Sequence, residues 1–411
     1  MELVLGVSDK GLCYINEEQR FRHTYIIGAT GMGKSTLLLE MIQQDIQNDV
    51  GIVVIDPSGS LCEDIGFSVP PHRELAYLSL NNPISANPLS KKVNKYDLID
   101  EFTEIMDTFI TLTTATAETT AGMKQILTNA FELLLDYPQY SSIKTLYEFL
   151  FFPSLRRKIL FEIEHTHGVV IPLFWKELKR EQEESAKRVA TRISSFIKDP
   201  RILNIISGQS KIDFKDIADQ KKILLVDCSG MTRDKMIFIG NIISHGVKSY
   251  FINNKAENPL AFYVDEFQNF ITPNFNKILS EGRKYQVALT LAHQDHQQLP
   301  QKLLGSILGN VCTTVCFRCG VIETKTLGEH FRDFEATDLH NLQQYECCVR
   351  IDTDEHKIKT LPPAINKRHE ILKLQSPKKA PLQSPKEPAS PVQEVCYVSL
   401  WDFNPAFFSF S

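Results

Sequence analysis

The chain has 411 residues, a formal net charge of −5 and 43% hydrophobic residues, enough for a substantial core in two domains or in one domain with a large insertion. That charge excludes a uniform basic coat for nucleic acid but not a local basic channel, because phosphate binding depends on where the lysines and arginines sit. Nine cysteines fall at irregular spacings and no secretory signal opens the chain, which points to reduced thiols. No apolar run reaches the roughly 18 residues of a spanning helix, so the expectation is a cytoplasmic protein, held peripherally at the inner face of a membrane only through a partner.

In chain order, "TYII" is an apolar run entering a glycine loop, "STLLLEMIQQDI" has helical periodicity, and "GIVVIDPSG" is a short apolar strand ending in a turn. Strand, loop, helix, strand is the start of a parallel sheet. From residue 96 to 205 the segments "YDLIDEFTEIMDTFITL", "MKQILTNAFELLLDY", "IKTLYEFLF" and "LFWKELKREQEESAKRVATRISSFI" favour helix. Strand signals return in "KKILLVDCS", "PLAFYVDEF", "QVALTLAHQ" and "VCTTVCFRCG". The expected organisation is an α/β core in residues 1–95 and 206–370, an all-α insertion in 96–205, a Pro/Lys/Ser linker in 371–394 and an aromatic tail in 395–411.

Gly28-x-x-x-x-Gly33-Lys34-Ser35 fits the Walker A pattern. Its glycines let the backbone curl so that successive N–H groups face a phosphate. Lys34 neutralises β/γ-phosphate charge and Ser35 offers its hydroxyl to Mg²⁺. The expected nucleotide-binding set is Gly28, Thr30, Gly31, Met32, Gly33, Lys34, Ser35 and Thr36. A strand ending in two carboxylates completes such a site. In "AFYVDE", Asp265 would hold the Mg²⁺ shell, through water, and Glu266 would polarise the attacking water as general base. Asp227 also ends a strand, but Cys228 follows it, so it lacks the base. A GTPase reading rests on Asp56-x-x-Gly59 and on Asn94-Lys95-x-Asp97. Both patterns are short, and no strand leads into the second.

The ordered series "RHTYIIGATGMGKSTLL", "VVIDPSGSL", "ANPLS", "RILNIISGQSKIDFKDI", "KKILLVDCS", "FYVDEFQNF", "SEGRKYQVALTLAHQ" and "LGNVCTTVCFRCG" resembles the HerA/FtsK superfamily of P-loop motors, most of all conjugative coupling ATPases of the TraG/TraD type. The resemblance implies a RecA-like core of the additional-strand type with an inserted all-α domain. It also implies hydrolysis of Mg-ATP and a homo-hexameric ring around DNA. It makes Gln294 the polar sensor of the γ-phosphate and Arg283 the arginine that reaches a neighbouring subunit's nucleotide, where it would stabilise charge on the transferring phosphoryl group. The partners it implies are DNA together with a membrane secretion channel, a relaxosome or a nuclease. Neither the family's N-terminal membrane helices nor a β-barrel is seen before the P-loop strand, so the expectation is a minimal motor. An export or remodelling ATPase indifferent to DNA is the alternative reading.

Other features carry less. Cys312-x-x-x-Cys316-x-x-Cys319, with Phe317 after the middle cysteine, fits an iron–sulfur spacing, but a buried strand with cysteines as small hydrophobes is the simpler reading. Cys347-Cys348 lacks a zinc spacer. His293 and His296 lie near a strand end, and His165 and His167 have no ligand partner nearby in sequence. The mixed charges of residues 176–188 read as a solvated helix face. Trp401, Phe403, Phe407, Phe408 and Phe410 read either as a docking peptide or as a segment packed on its own domain.

Overall fold

The computed structural model describes residues 2–90, 94–113, 121–254, 258–295 and 299–361. The expected linker, the aromatic tail with Trp401, Phe403, Phe407, Phe408 and Phe410, and His296 lie outside these residues.

Strands are β1 (Leu3–Ser8), β2 (Gly11–Ile15), β3 (Thr24–Ile27), β4 (Gly51–Asp56), β5 (Leu75–Leu78), β6 (Ile223–Asp227), β7 (Leu260–Val264), β8 (Val287–His293), β9 (Thr313–Phe317), β10 (Glu346–Ile351) and β11 (Asp354–Lys359). They form an 11-stranded sheet in the order β2-β1-β11-β10-β9-β3-β8-β7-β4-β6-β5. Pairing is parallel from β9 to β5 and antiparallel from β9 through β10, β11 and β1 to β2. The central strands β3, β4, β6, β7 and β8 are buried along their whole length. That is why they read as unbroken apolar runs rather than as alternating ones.

Successive side chains of those strands enter different cores. Ile26, Ile52, Val54, Leu225 and Tyr263 pack with Leu37, Leu38, Met41 and Ile42 of the helix Lys34–Gln47. Tyr25, Ile27, Val53, Ile55, Phe262 and Val264 face the other way, into a cluster that also takes in Phe102, Phe131, Phe149, Trp175 and Phe196. These last five belong to helices between Lys95 and Ile197. The helical segment therefore shares one continuous core with a face of the sheet. Its helices pack through edge-on aromatic pairs such as Phe102–Phe131 and Phe149–Trp175, with centroids 4.6 and 4.7 Å apart.

The helix Lys34–Gln47 is pinned by a buried ion pair. Arg20 donates to both oxygens of Asp45 at 2.6 and 2.7 Å, and the Tyr263 hydroxyl donates to Asp45 at 2.5 Å. This joins the helix Glu17–Phe21, the helix Lys34–Gln47 and β7. No helix among the described residues is long and apolar enough to cross a membrane.

Candidate active site

Because β3, β4, β6, β7, β8 and β9 run parallel, all their carboxyl ends lie on one edge of the sheet, where ligands of open α/β sheets bind. The loop after β3 is residues 28–33. Each of its glycines has its own cause. Gly31 and Gly33 have φ of +76° and +120°, values that side chains disfavour. A Cβ on Gly28 would stand 2.5 Å from the Phe317 Cβ. The loop is tied to the neighbouring strand by the Ala29 N–H, which donates to the Arg318 carbonyl at 2.8 Å. Met32 turns its side chain into the core, leaving only its backbone at the loop.

Lys34 is buried, and its ammonium donates to the carbonyls of Gly28 (2.7 Å) and Ala29 (3.2 Å). Burial lowers its pKa, against the opposing pull of the Glu266 and Asp265 charges. Ser35 is exposed at the helix start, Thr36 is half-buried, and the Ser35 hydroxyl lies 3.5 Å from an Asp265 oxygen. Burial, and then the charges of Glu266 and Asp56, push the Asp265 pKa up to about 7. This oxygen-only set of a hydroxyl and a carboxylate beside further carboxylates fits Mg²⁺, whose charge would relieve that repulsion.

Glu266 follows β7 in a left-handed conformation, φ +45°. Strain of this kind in a non-glycine residue persists where the surroundings hold it, and here they do. The Gln268 amide donates to one carboxylate oxygen at 2.8 Å, and the Gln294 amide donates to the other. The Asn269 side chain donates to the Glu266 carbonyl at 3.1 Å. Gln294 also accepts from the Thr30 hydroxyl at 2.6 Å. Since β8 lies between β3 and β7, Gln294 at its end bridges the P-loop and the Walker B carboxylate. The P-loop, Asp265, Glu266 and Gln294 thus come together, and the Thr30–Gln294–Glu266 connection joins residues far apart in sequence.

Arg283 does not join them. It lies in the 3₁₀ turn Gly282–Tyr285, before β8 and so at the opposite edge of the sheet, about 20 Å away by strand rise. It is 58% exposed and pairs with Glu18 at 2.8 Å. His293 is buried, with the Tyr25 hydroxyl 2.9 Å from its Nδ1. That is a role within the core.

The remaining patterns resolve as structure. Both Asp56 oxygens accept backbone N–H groups, from Ser58, Leu61 and Cys62 at 2.8, 2.8 and 3.1 Å, capping the helix Ser60–Gly66. Asn94 accepts from the Tyr96 N–H at 2.9 Å at the start of the helix Lys95–Thr113, and Lys95 pairs with Asp136 at 2.6 Å. Asp56, Asn94 and Lys95 of the two GTPase patterns are thus engaged in local contacts. Cys312 precedes β9 while Cys316 and Cys319, 3.8 Å apart, stand at its far end. Cys347 and Cys348 enter opposite cores. Among the described residues no three or more His, Cys, Asp and Glu side chains gather to hold a metal ion by themselves, so these cysteines form no cluster or zinc site with such neighbours. His165 stacks on Phe161 and His167 lies against Tyr137. In the 176–188 stretch, Lys176 pairs with Glu164 and Arg180 with Glu184.

The profile described as "Helicase HerA, central domain" matches residues 14–247. The chain belongs to that family. A second profile, "TraM recognition site of TraD and TraG", matches residues 259–329 of this HerA-family chain. Membership and the assembled Walker A and Walker B geometry make it an ATP hydrolase. Comparison with curated proteins finds no match. Solved structures agree on the fold. The plasmid coupling protein TrwB in complex with ADP and Mg²⁺ is 17% identical, with 88% of this chain and 91% of that chain covered and a TM-score of 0.67. TrwB with the ATP analogue ADPNP is 16% identical, covering 84% and 86%, at 0.66. VirB4 of Thermoanaerobacter pseudethanolicus is 14% identical, covering 87% and 96%, at 0.61.

Proposed function

We propose that the chain is the ATP-driven motor of an oligomeric DNA translocase of the coupling-protein kind. The observation that carries this reading is the Thr30–Gln294–Glu266 connection, which joins the phosphate loop to the carboxylate placed to act on water. In this reading the backbone of Gly28, Thr30, Gly31, Met32 and Gly33 cradles the phosphates, with Lys34, Ser35 and Thr36 at the helix start. Ser35 and, through water, Asp265 hold Mg²⁺, which supplies charge neutralisation of the phosphoryl oxygens when bound. Glu266 takes the proton of the attacking water. Gln294 senses whether a γ-phosphate is present, and its amide orients Glu266 accordingly. Arg283 acts on the nucleotide of a neighbouring subunit in a homo-hexamer.

Residues 1–95 and 206–370 then form the motor core, 96–205 the all-α domain, 371–394 a linker and 395–411 an aromatic C-terminal tail. The family's helicase name, the TraD/TraG match and the fold shared with TrwB support DNA as the translocated substrate, with a secretion channel, relaxosome or nuclease as partner. The test is steady-state ATP hydrolysis with and without single- and double-stranded DNA, beside Glu266→Gln. Stimulation by DNA that the variant abolishes is the expected result. Hydrolysis indifferent to DNA would remove the translocase reading.

A further inference from the structure

We propose that Tyr345 is the platform on which the base of the bound nucleotide stacks. The inference rests on the nucleotide site proposed above and adds the direction in which the ligand lies. The groups placed to act on the terminal phosphate, Gln294, Asp265 and Glu266, follow β8 and β7, on one side of β3. On the other side of β3 come β9 and β10. A nucleotide gripped after β3 with its terminal phosphate toward Glu266 has its nucleoside end toward β9 and β10.

Tyr345 stands there. Because β10 runs antiparallel to β9, its amino end lies at the same edge as the P-loop. The Tyr345 N–H donates to the Met32 carbonyl at 2.9 Å, and its own carbonyl accepts from the Thr360 N–H at 2.9 Å. The neighbouring Gln344 amide donates to the Gly31 carbonyl at 3.0 Å. The residue is held at φ +66°, uncommon for a bulky side chain. Its ring lies along the P-loop, with Cδ1 3.0 Å from where a Cβ on Gly33 would be. A residue recruited only for packing would bury that ring or pair its hydroxyl. The side chain is instead 38% exposed, and its hydroxyl makes no hydrogen bond among the described residues. An aromatic face fixed at the lip of a phosphate grip suits any base, since stacking needs only a π-face. The ligand class is therefore a nucleoside di- or triphosphate, and the platform alone does not choose between adenine and guanine.

Titration calorimetry of the full chain with Mg²⁺ and two probes, ADP and inorganic tripolyphosphate, tests this. Tyr345→Phe keeps the ring. Tyr345→Asn removes it but keeps a residue type at ease with positive φ. The expected result is a roughly tenfold loss of ADP affinity in Tyr345→Asn, unchanged tripolyphosphate affinity, and near-native behaviour of Tyr345→Phe. Unchanged ADP affinity in Tyr345→Asn overturns the proposal. So does an equal loss for both probes, which would mean that Tyr345 only shapes the P-loop. If the native protein binds neither probe, the nucleotide-site reading itself fails and the platform with it.

Discussion

At the scale of single residues, backbone conformations that side chains disfavour occur at several places in the fold, and Glu266 is the one among them that carries the proposed catalytic carboxylate. Glu266 is left-handed and clasped by two glutamine amides, so its carboxylate is oriented before any water arrives. Replacing it with glutamine keeps the size and removes the basicity. Glu266→Gln should lower kcat by roughly 10²- to 10⁴-fold and leave ATP binding unchanged, which single-turnover hydrolysis beside equilibrium binding would check. His23 is another left-handed residue, φ +66°, with a structural cause. It is buried, its Nδ1 accepts the Leu289 N–H at 3.2 Å, and burial pulls its pKa down to about 4. Protonation would forfeit that acceptor and place a charge in the core. The unfolded state takes up this proton near pH 6.5 and the folded state only near 4, so between those values the unfolded chain binds more protons and stability falls as pH falls. Urea unfolding should show the native protein losing about 2 kcal/mol more than His23→Asn between pH 7 and pH 5. Equal losses would show that His23 is not the group responsible.

At the scale of elements, what was legible in the sequence followed burial. β3, β4, β6, β7 and β8 are buried on both faces and so announce themselves as apolar runs. The antiparallel flank does not. β11, "DEHKIK", places only Ile358 in a core, and β2 leaves Leu12 and Tyr14 exposed at the sheet edge. Their pairing comes from tertiary context rather than from pattern. The site divides in the same way. The Walker segments are contiguous and could be read directly. The Thr30–Gln294 bond and the Tyr345–Met32 bond join residues hundreds of positions apart, which no local pattern encodes. The buried Arg20–Asp45 pair was equally hidden, because each residue alone looks like surface charge. With exposures of 2% and 0%, it cannot lose one partner cheaply. Asp45→Leu should cost about 3–5 kcal/mol, since Arg20 is left charged in the core, while Arg20→Met with Asp45→Leu should recover most of the loss. Denaturant midpoints of the two variants would decide it. A single variant as stable as the double would mean that water reaches Arg20.

At the scale of the whole molecule, the proposed role of Arg283 requires a second subunit. Arg283 lies before β8, whereas the P-loop and Gln294 lie beyond strand carboxyl ends, so within one chain it cannot reach the phosphates. In a head-to-tail ring, however, the same edge of every subunit faces the opposite edge of the next, and closure repeats that contact identically. Among the described residues of its own chain Arg283 pairs with Glu18, with exposures of 58% and 74%. Such an exposed pair is worth under about 1 kcal/mol, so it would give way readily to a phosphate. Arg283→Ala should therefore leave stability within about 1 kcal/mol of native and ATP binding intact, yet reduce hydrolysis roughly 10³-fold or more. Mixing it with Lys34→Ala separates this from a local effect. The Arg283→Ala subunit keeps a working P-loop, and the Lys34→Ala subunit keeps the arginine. If Arg283 acts in trans as proposed, each variant alone has no complete site, while randomly mixed rings would restore about one interface in four. Hydrolysis that appears only on mixing, at up to about a quarter of the native rate per site, would place Arg283 in the neighbour's site. A mixture as inactive as its components, or an active Arg283→Ala variant on its own, would return Arg283 to the plain surface pair that it makes with Glu18.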